Sequence, residues 1–306
     1  MKVMVTGGAG FIGSNVVNVI VGHAHQVVVL DNLSTGKREN IDAGAVLRLC
    51  DVGDVAAVRD VMQEERPEVV FHLAAQIDVR KSVADIRSDA STNVLGTIGV
   101  LDAASDNAVC RLVFSSTGGA LYGEPEHLPA DELAPILPLS PYGVAKYCAE
   151  QYISYYHRVR GLETVVLRYV NVYGPRQDPL GEAGVVGIFL RKILSGERPV
   201  IYGDGKQARD FVFVGDVVEA NLLAMNGPQG TYNIGTGVET SVNGLVHAFE
   251  HVVGRRIEPE YRPARAGEVQ RIALRADKAE HELGWKPAVS LEEGLAQTIE
   301  WYQKRF

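Results

Sequence analysis

The sequence predicts a doubly wound α/β protein, a parallel sheet with helices on both faces, joined to a smaller α+β lobe. Two observations carry this. Short, unbroken, Val-rich runs alternate with helix-period segments, the pattern of strands buried on both faces. The first of these runs ends in Thr6-Gly7-Gly8-Ala9-Gly10-Phe11-Ile12-Gly13, a glycine turn that opens onto a helix.

In chain order, residues 2–6 read as a strand and 11–21 as a helix with Ile12, Val16, Val19 and Ile20 inward. Residues 26–31, 46–50, 69–73, 111–115 and 164–167 read as further strands. Helices are expected near 55–64, 88–105 and 142–160. After about Arg168 the rhythm loosens, and Gly and Pro become frequent, as at Gly174-Pro175 and Gly203-Asp204-Gly205. Residues 1–168 are therefore expected to form a Rossmann-like dinucleotide domain to which roughly 206–240 return. Residues 169–205 and 241–306 are expected to form the smaller lobe.

Bulk properties narrow the function classes. A chain of 306 residues can bury a sizeable core. Its net charge of -8 argues against nucleic acid or an anionic membrane as partner. Cys50, Cys110 and Cys148 are scattered and form no C-x-x-C pair, which suggests reduced thiols and a cytoplasmic setting. No apolar run is long enough to span a bilayer, and the chain enters a strand at Lys2, so no signal peptide is expected.

The glycine turn predicts a dinucleotide site. Gly7, Gly10 and Gly13 permit a tight turn, close approach to a pyrophosphate and close helix packing, and the helix begins with Phe11 and Ile12. Asp31 ends the second strand, where a carboxylate suits the ribose hydroxyls of NAD and would repel a 2′-phosphate. Asn32 follows it in place of an arginine, while Lys37 and Arg38 stand further on. NAD is therefore expected rather than NADP. Asp51 and Val52, then Leu73, Ala74 and Ala75, end the third and fourth strands on the same edge.

Tyr142 and Lys146 stand four apart in "SPYGVAK", at the expected start of a helix, so they share one face. A free tyrosine has a pKa of about 10, too high for a base at neutral pH. A neighbouring ammonium favours the phenolate. Such a pair can take a proton from an alcohol as hydride leaves the same carbon. The strand before it ends in Ser115-Ser116-Thr117, which places Thr117 to hold a substrate hydroxyl opposite Tyr142. A second Tyr-x-x-x-Lys, Tyr202 to Lys206, lies in a glycine turn where the two need not share a face. His247-Ala248-Phe249-Glu250-His251 fits a zinc pattern, but Leu245, Val246 and Phe249 claim the buried face of that helix. No metal site is expected.

Together, "TGGAGFIG", "DNLSTG", "HLAAQ", "NVLGT", "SSTGGALYG", "PYGVAK", "LRYVNVYGPRQ", "GDGKQARDFVFVGDV", "YNIGTG" and "LGW" resemble the extended short-chain dehydrogenase/reductase family along the whole chain, and most closely its bacterial UDP-glucose 4-epimerases. The resemblance implies reversible inversion at C4 of a UDP-hexose through a 4-keto sugar, with bound NAD. It makes Thr117, Tyr142 and Lys146 the catalytic group and puts Asn171 near the sugar diphosphate. It implies that Arg209 and Arg265 bind the diphosphate, that Glu268 lies near the uridine ribose, and that Val200 and Tyr202 border the uracil. It also implies a homodimer through the helices near 88–105 and 142–160. One departure is Gln76-Ile77-Asp78, where many of these epimerases carry a lysine. Related 4,6-dehydratases carry an acidic pair after the strand-end threonine. Here the stretch is Thr117-Gly118-Gly119-Ala120. Two readings of the glycines stay open: room for a sugar to turn, or a turn that needs positive φ.

Overall fold

The computed structural model describes residues 1–179, 184–264 and 269–304. Six strands lie in the first part of the chain: β1 (Lys2–Thr6), β2 (Gln26–Asp31), β3 (Ala45–Leu49), β4 (Val69–His72), β5 (Arg111–Thr117) and β6 (Glu163–Tyr169). With Gly230–Ile234 they form one seven-stranded sheet in the order β3-β2-β1-β4-β5-β6 and then Gly230–Ile234. Every pairing in it is parallel. The strand order reverses between β1 and β4. In such a sheet the crevice outside the carboxyl ends at that point is the place where ligands bind.

Strand alternation divides the core. Val3 and Val5 pack on one face with Val16, Val17 and Ile20 of the helix Phe11–Gly22 and Val217 of the helix Val214–Asn226. Met4 packs on the other with Val58 and Met62 of Val55–Glu65, Val100 and Leu101 of Gly96–Asp106, and Ala149 and Ile153 of Pro141–Arg160. A third cluster joins Val185–Leu194, Val242–Val253 and Leu291–Gln303 through Phe189, Phe249 and Leu295.

Strand ends differ from expectation by one or two residues. β5 runs two residues further because Ser116 and Thr117 still pair, with Arg168 and Tyr169. The larger correction concerns the helix expected over 88–105. Asp85 caps a short helix, Ile86–Ala90, through the Ser88 amide (3.0 Å). A π turn, Ser91–Leu95, follows, and then Gly96–Asp106. The extra residue in the π turn leaves hydrogen bonds for side chains to complete, and such turns gather at functional sites. Asn93 stands in its middle. Among the described residues no helix is long and apolar enough to cross a membrane.

Candidate active site

The glycine turn lies at the carboxyl edge of β1, at the switch point. Gly7 has φ +70°, and a Cβ there would meet the Ala74 amide nitrogen at 2.7 Å. A Cβ on Gly13 would run into the Gly7 carbonyl oxygen. Gly10 is the N-cap of Phe11–Gly22 and brings no side chain, and Phe11 and Ile12 are half-buried. The turn is thus bare backbone in front of a helix N-terminus, a cradle that fits a pyrophosphate.

Asp31 is buried at the end of β2. Its Oδ2 accepts from Ala9 N at 2.9 Å and its Oδ1 from Leu33 N at 2.8 Å. The carboxylate therefore ties the glycine turn to the next strand end. Each oxygen keeps a second lone pair for an incoming hydroxyl. Asn32 donates to Asp51 Oδ2 at 2.7 Å, and Val52 is buried beside them. Lys37 pairs with Asp178 at 3.2 Å. On the other side of β1, Leu73 N donates to Thr6 O, Ala74 N donates to Thr6 Oγ1 at 3.2 Å, and half-buried Ala75 follows.

Beneath this edge the protons of one buried chain can be placed. Thr97 Oγ1 donates to Asn93 O at 2.7 Å, so it can only accept from His72 Nε2 at 3.0 Å. His72 Nδ1 is then the acceptor for Thr6 Oγ1 at 2.7 Å. The imidazole is neutral, and burial, aided by the positive charge of Lys146, pushes its pKa down to about 3.

Pro141–Arg160 brings Lys146 to β5, with Tyr142 one turn before it on the helix. Ser140 caps the helix through Gly143 N (3.2 Å), Pro141 fills its first turn, and Gly161 ends it at φ +73°. Tyr142 is half-buried, and its amide donates to Ser82 Oγ at 3.2 Å. Lys146 is 3% exposed. Its Nζ donates to Ser115 O at 2.9 Å and lies 4.7 Å from the centre of the Phe114 ring. Burial pushes the ammonium down to about 8, against the pull of Asp89 and Glu150. Strand alternation separates the three hydroxyls of β5: Ser116 turns away from the site and donates to Glu150 at 2.5 Å.

A polar cluster that the sequence reading passed over sits beside Lys146. Gln76, Asp89 and Asn93 bind one another, with Gln76 Nε2 and Asn93 Nδ2 both donating to Asp89 Oδ1, at 2.9 and 3.0 Å. Asn93 also bonds both the amide and the carbonyl of Gln76. Spacing gave one usable sign, since Asp89 and Asn93 are four apart in a helical stretch.

Gly118 and Gly119 open a short helical turn, Gly118–Leu121, and neither has positive φ. This overturns the positive-φ reading. Space limits Gly118, because a Cβ there would run into Cδ1 of buried Leu274, which would have to shift. Leu274 is held by its own amide, which donates to buried Asp210 at 3.2 Å. Gly119 is different. A Cβ there would find only Asn171 Oδ1 at 3.8 Å and Thr117 Oγ1 at 3.9 Å. Thr117 and Asn171 thus flank one open position.

The remaining candidate residues lie later in the chain. Val200 and Tyr202 are half-buried on the strand Val200–Tyr202. Arg209 ends Ala208–Arg209, which pairs with Arg271–Ile272. Arg265 and Glu268 lie outside the described residues. His247 is exposed and pairs with Glu250 at 2.9 Å. Among the described residues no group of His, Cys, Asp and Glu could hold a metal ion.

Residues 3–235 match the model of the NAD dependent epimerase/dehydratase family. The chain belongs to that family. A UDP-glucose 4-epimerase of Mycolicibacterium smegmatis is 43% identical over 313 residues, covering 100% of this chain and 99% of its own. The UDP-glucose 4-epimerase of Thermotoga maritima, crystallised with UDP-glucose, superposes with a TM-score of 0.98 at 47% identity, covering 100% of this chain and 99% of its own. That of Thermus thermophilus, solved with NAD, gives 0.94 at 43% identity, with 99% of each chain covered.

Proposed function

We propose that the protein reversibly inverts C4 of a UDP-hexose, interconverting UDP-glucose and UDP-galactose. The observation that carries this reading is buried Lys146 bonded to the Ser115 carbonyl near the end of β5, with Tyr142 one turn before it on the same helix, in a sheet whose first strand ends in a glycine turn. Tyr142 takes the proton of the 4-hydroxyl as a phenolate, with the buried Lys146 ammonium beside it. Thr117 holds the same hydroxyl from the strand end. Gly7, Gly10, Phe11, Ile12, Gly13, Asp31, Asn32, Asp51, Val52, Leu73, Ala74 and Ala75 would hold NAD, which when bound would supply the hydride acceptor and donor for C4. Residues 1–168 with 206–240 carry this half of the site. The smaller lobe carries the sugar nucleotide, through Val200 and Tyr202 at the uracil and Glu268 at the ribose. Arg209, Arg265 and Asn171 hold the diphosphate, which long cations from separate loops suit. Nothing in Gly118-Gly119-Ala120 can supply the acid or base that elimination of water needs.

The protein acts as a homodimer in this reading. Val144, Tyr152, Tyr155 and Val159 are exposed along one stripe of Pro141–Arg160, with Val83, Ile86 and Leu95 exposed on the neighbouring helical segments. Such a patch on a folded chain marks an interaction surface. The three free cysteines suit a reducing cytoplasm. The test is NMR product analysis with UDP-glucose and UDP-galactose and no added NAD. The expected product is the C4 epimer at unchanged mass. A product lighter by one water, or no change at C4 for any UDP-sugar, would sink the reading.

A further inference from the structure

Lys146 is a buried ammonium, and two carboxylates act on it, Glu150 and Asp89. Glu150 is already committed. Arg168 donates to it twice, at 3.0 and 2.6 Å, and Ser116 once. Among the described residues no cation bonds Asp89. It is 1% exposed and sits on Ile86–Ala90, which packs against Pro141–Arg160. Both hydrogen bonds it accepts come from neutral amides and go to Oδ1, and its Oδ2 has no hydrogen-bond partner. Gln76 and Asn93 therefore fix the carboxylate without neutralising it.

We propose that Asp89 is the counter-charge of Lys146, a positioning residue that balances the buried ammonium beside Tyr142 and so holds the tyrosine–lysine pair in its working charge state. This deepens the catalytic reading above and rests on it. The surroundings leave the role to Asp89. β5 presents the Ser115 carbonyl and the Phe114 ring to Lys146, β4 presents neutral His72, and β6 presents Arg168 already paired with Glu150. Tyr142 stands on the lysine's own helix. Burial pushes the Asp89 carboxyl up, while the Gln76 and Asn93 amides and the Lys146 charge hold it down, so the pair keeps its charges by mutual support.

Asp89→Asn isolates the charge. The amide oxygen can still accept from Gln76 and Asn93, and the new NH₂ takes the place of an oxygen that bonds nothing. Two readouts report on Lys146. One is the alkaline limb of kcat against pH, where the ammonium is lost. The other, independent of turnover, is NMR of lysine labelled at the ε carbon, with Lys146 assigned by Lys146→Met. In Asp89→Asn both move to lower pH by about one unit. Asp89→Glu keeps the charge, and both stay in place even if the rate falls. An Asn variant that lowers the rate at every pH without moving either readout would make Asp89 a packing residue only and overturn the proposal. So would a Glu variant that moves them as far as Asn does. Failure of the catalytic reading looks different, because Tyr142→Phe would then keep its turnover.

Discussion

One helix, Pro141–Arg160, faces two buried polar clusters, and they are built on opposite plans. Around Glu150 every charge is matched. Arg168 grips the carboxylate with two bonds, and its Nη1 donates to Tyr122 at 2.7 Å. Tyr122 in turn donates to Asn233 at 2.8 Å, on the strand at the edge of the sheet. One turn earlier, Lys146 has a carbonyl, a ring and a carboxylate fixed by amides. The first cluster is closed and locks β5, β6 and the helix together. The second is left so that a change of charge nearby alters it. In the proposed reading, stability and reactivity fall to neighbouring turns of one element.

The largest expected effect breaks the open cluster alone. Tyr142→Phe removes the proton acceptor and should lower turnover 10²–10⁴-fold. The melting temperature and the released dinucleotide should match the parent. Tyr202→Phe, at the other Tyr-x-x-x-Lys, should change turnover only slightly. Similar losses in the two would mean that the reactive pair has been misassigned.

The closed cluster should fail in the opposite way. Arg168→Leu leaves Glu150 buried without its ion-pair partner, at a cost of about 3–5 kcal/mol. Urea unfolding should show that loss, and Glu150→Leu in the same chain should recover part of it. A large fall in turnover at unchanged stability would erase the distinction between the clusters.

The sheet and its glycine turn were legible because their signals are local. Val-rich runs have strand period, and Thr6 to Gly13 is one uninterrupted turn. Tyr142 and Lys146 share a face by spacing alone. Asp89 was not legible. Its partners, Gln76 and Lys146, stand 13 and 57 positions away along the numbering, and helix period does not reveal a π turn. Nor was the approach of Leu274 to Gly118, from 156 positions away along the numbering. Of the two readings left open for Gly118 and Gly119, the positive-φ one fails for a related reason. Glycine marks a place where something is missing, and only the fold says whether that is a torsion or a volume.

His72 lies behind the open cluster and gives it a pH signature. The folded-state pKa is about 3, against an ordinary 6.5 in the unfolded chain. The unfolded state therefore binds the extra proton as pH falls below 6.5, and stability drops until pH 3 is reached. Between pH 7 and pH 5 this term is about 2 kcal/mol. Urea unfolding of the parent should lose that much more than His72→Gln does over the same range. Equal slopes for the two proteins would mean that the imidazole is not held neutral.

The smallest effects come from the two glycines, which sharpen the comparison at the scale of one methyl group. Both lie in the same helical turn with φ open to any residue, so alanine costs neither of them backbone strain. What differs is the space. Gly118→Ala drives a Cβ into Leu274, which Asp210 holds by its amide, and overpacking of that kind costs about 1–3 kcal/mol. Gly119→Ala meets Asn171 and Thr117 at ordinary contact distance, and its stability should stay within about 0.5 kcal/mol of the parent. Its turnover is the more informative reading. The methyl group would stand between the threonine and the asparagine that flank the open position, where the keto sugar turns over in the proposed reading. A several-fold fall in kcat at unchanged stability is expected. Unchanged kcat would show that the sugar turns elsewhere, and equal destabilisation by the two alanines would show that the space at Gly119 is not open.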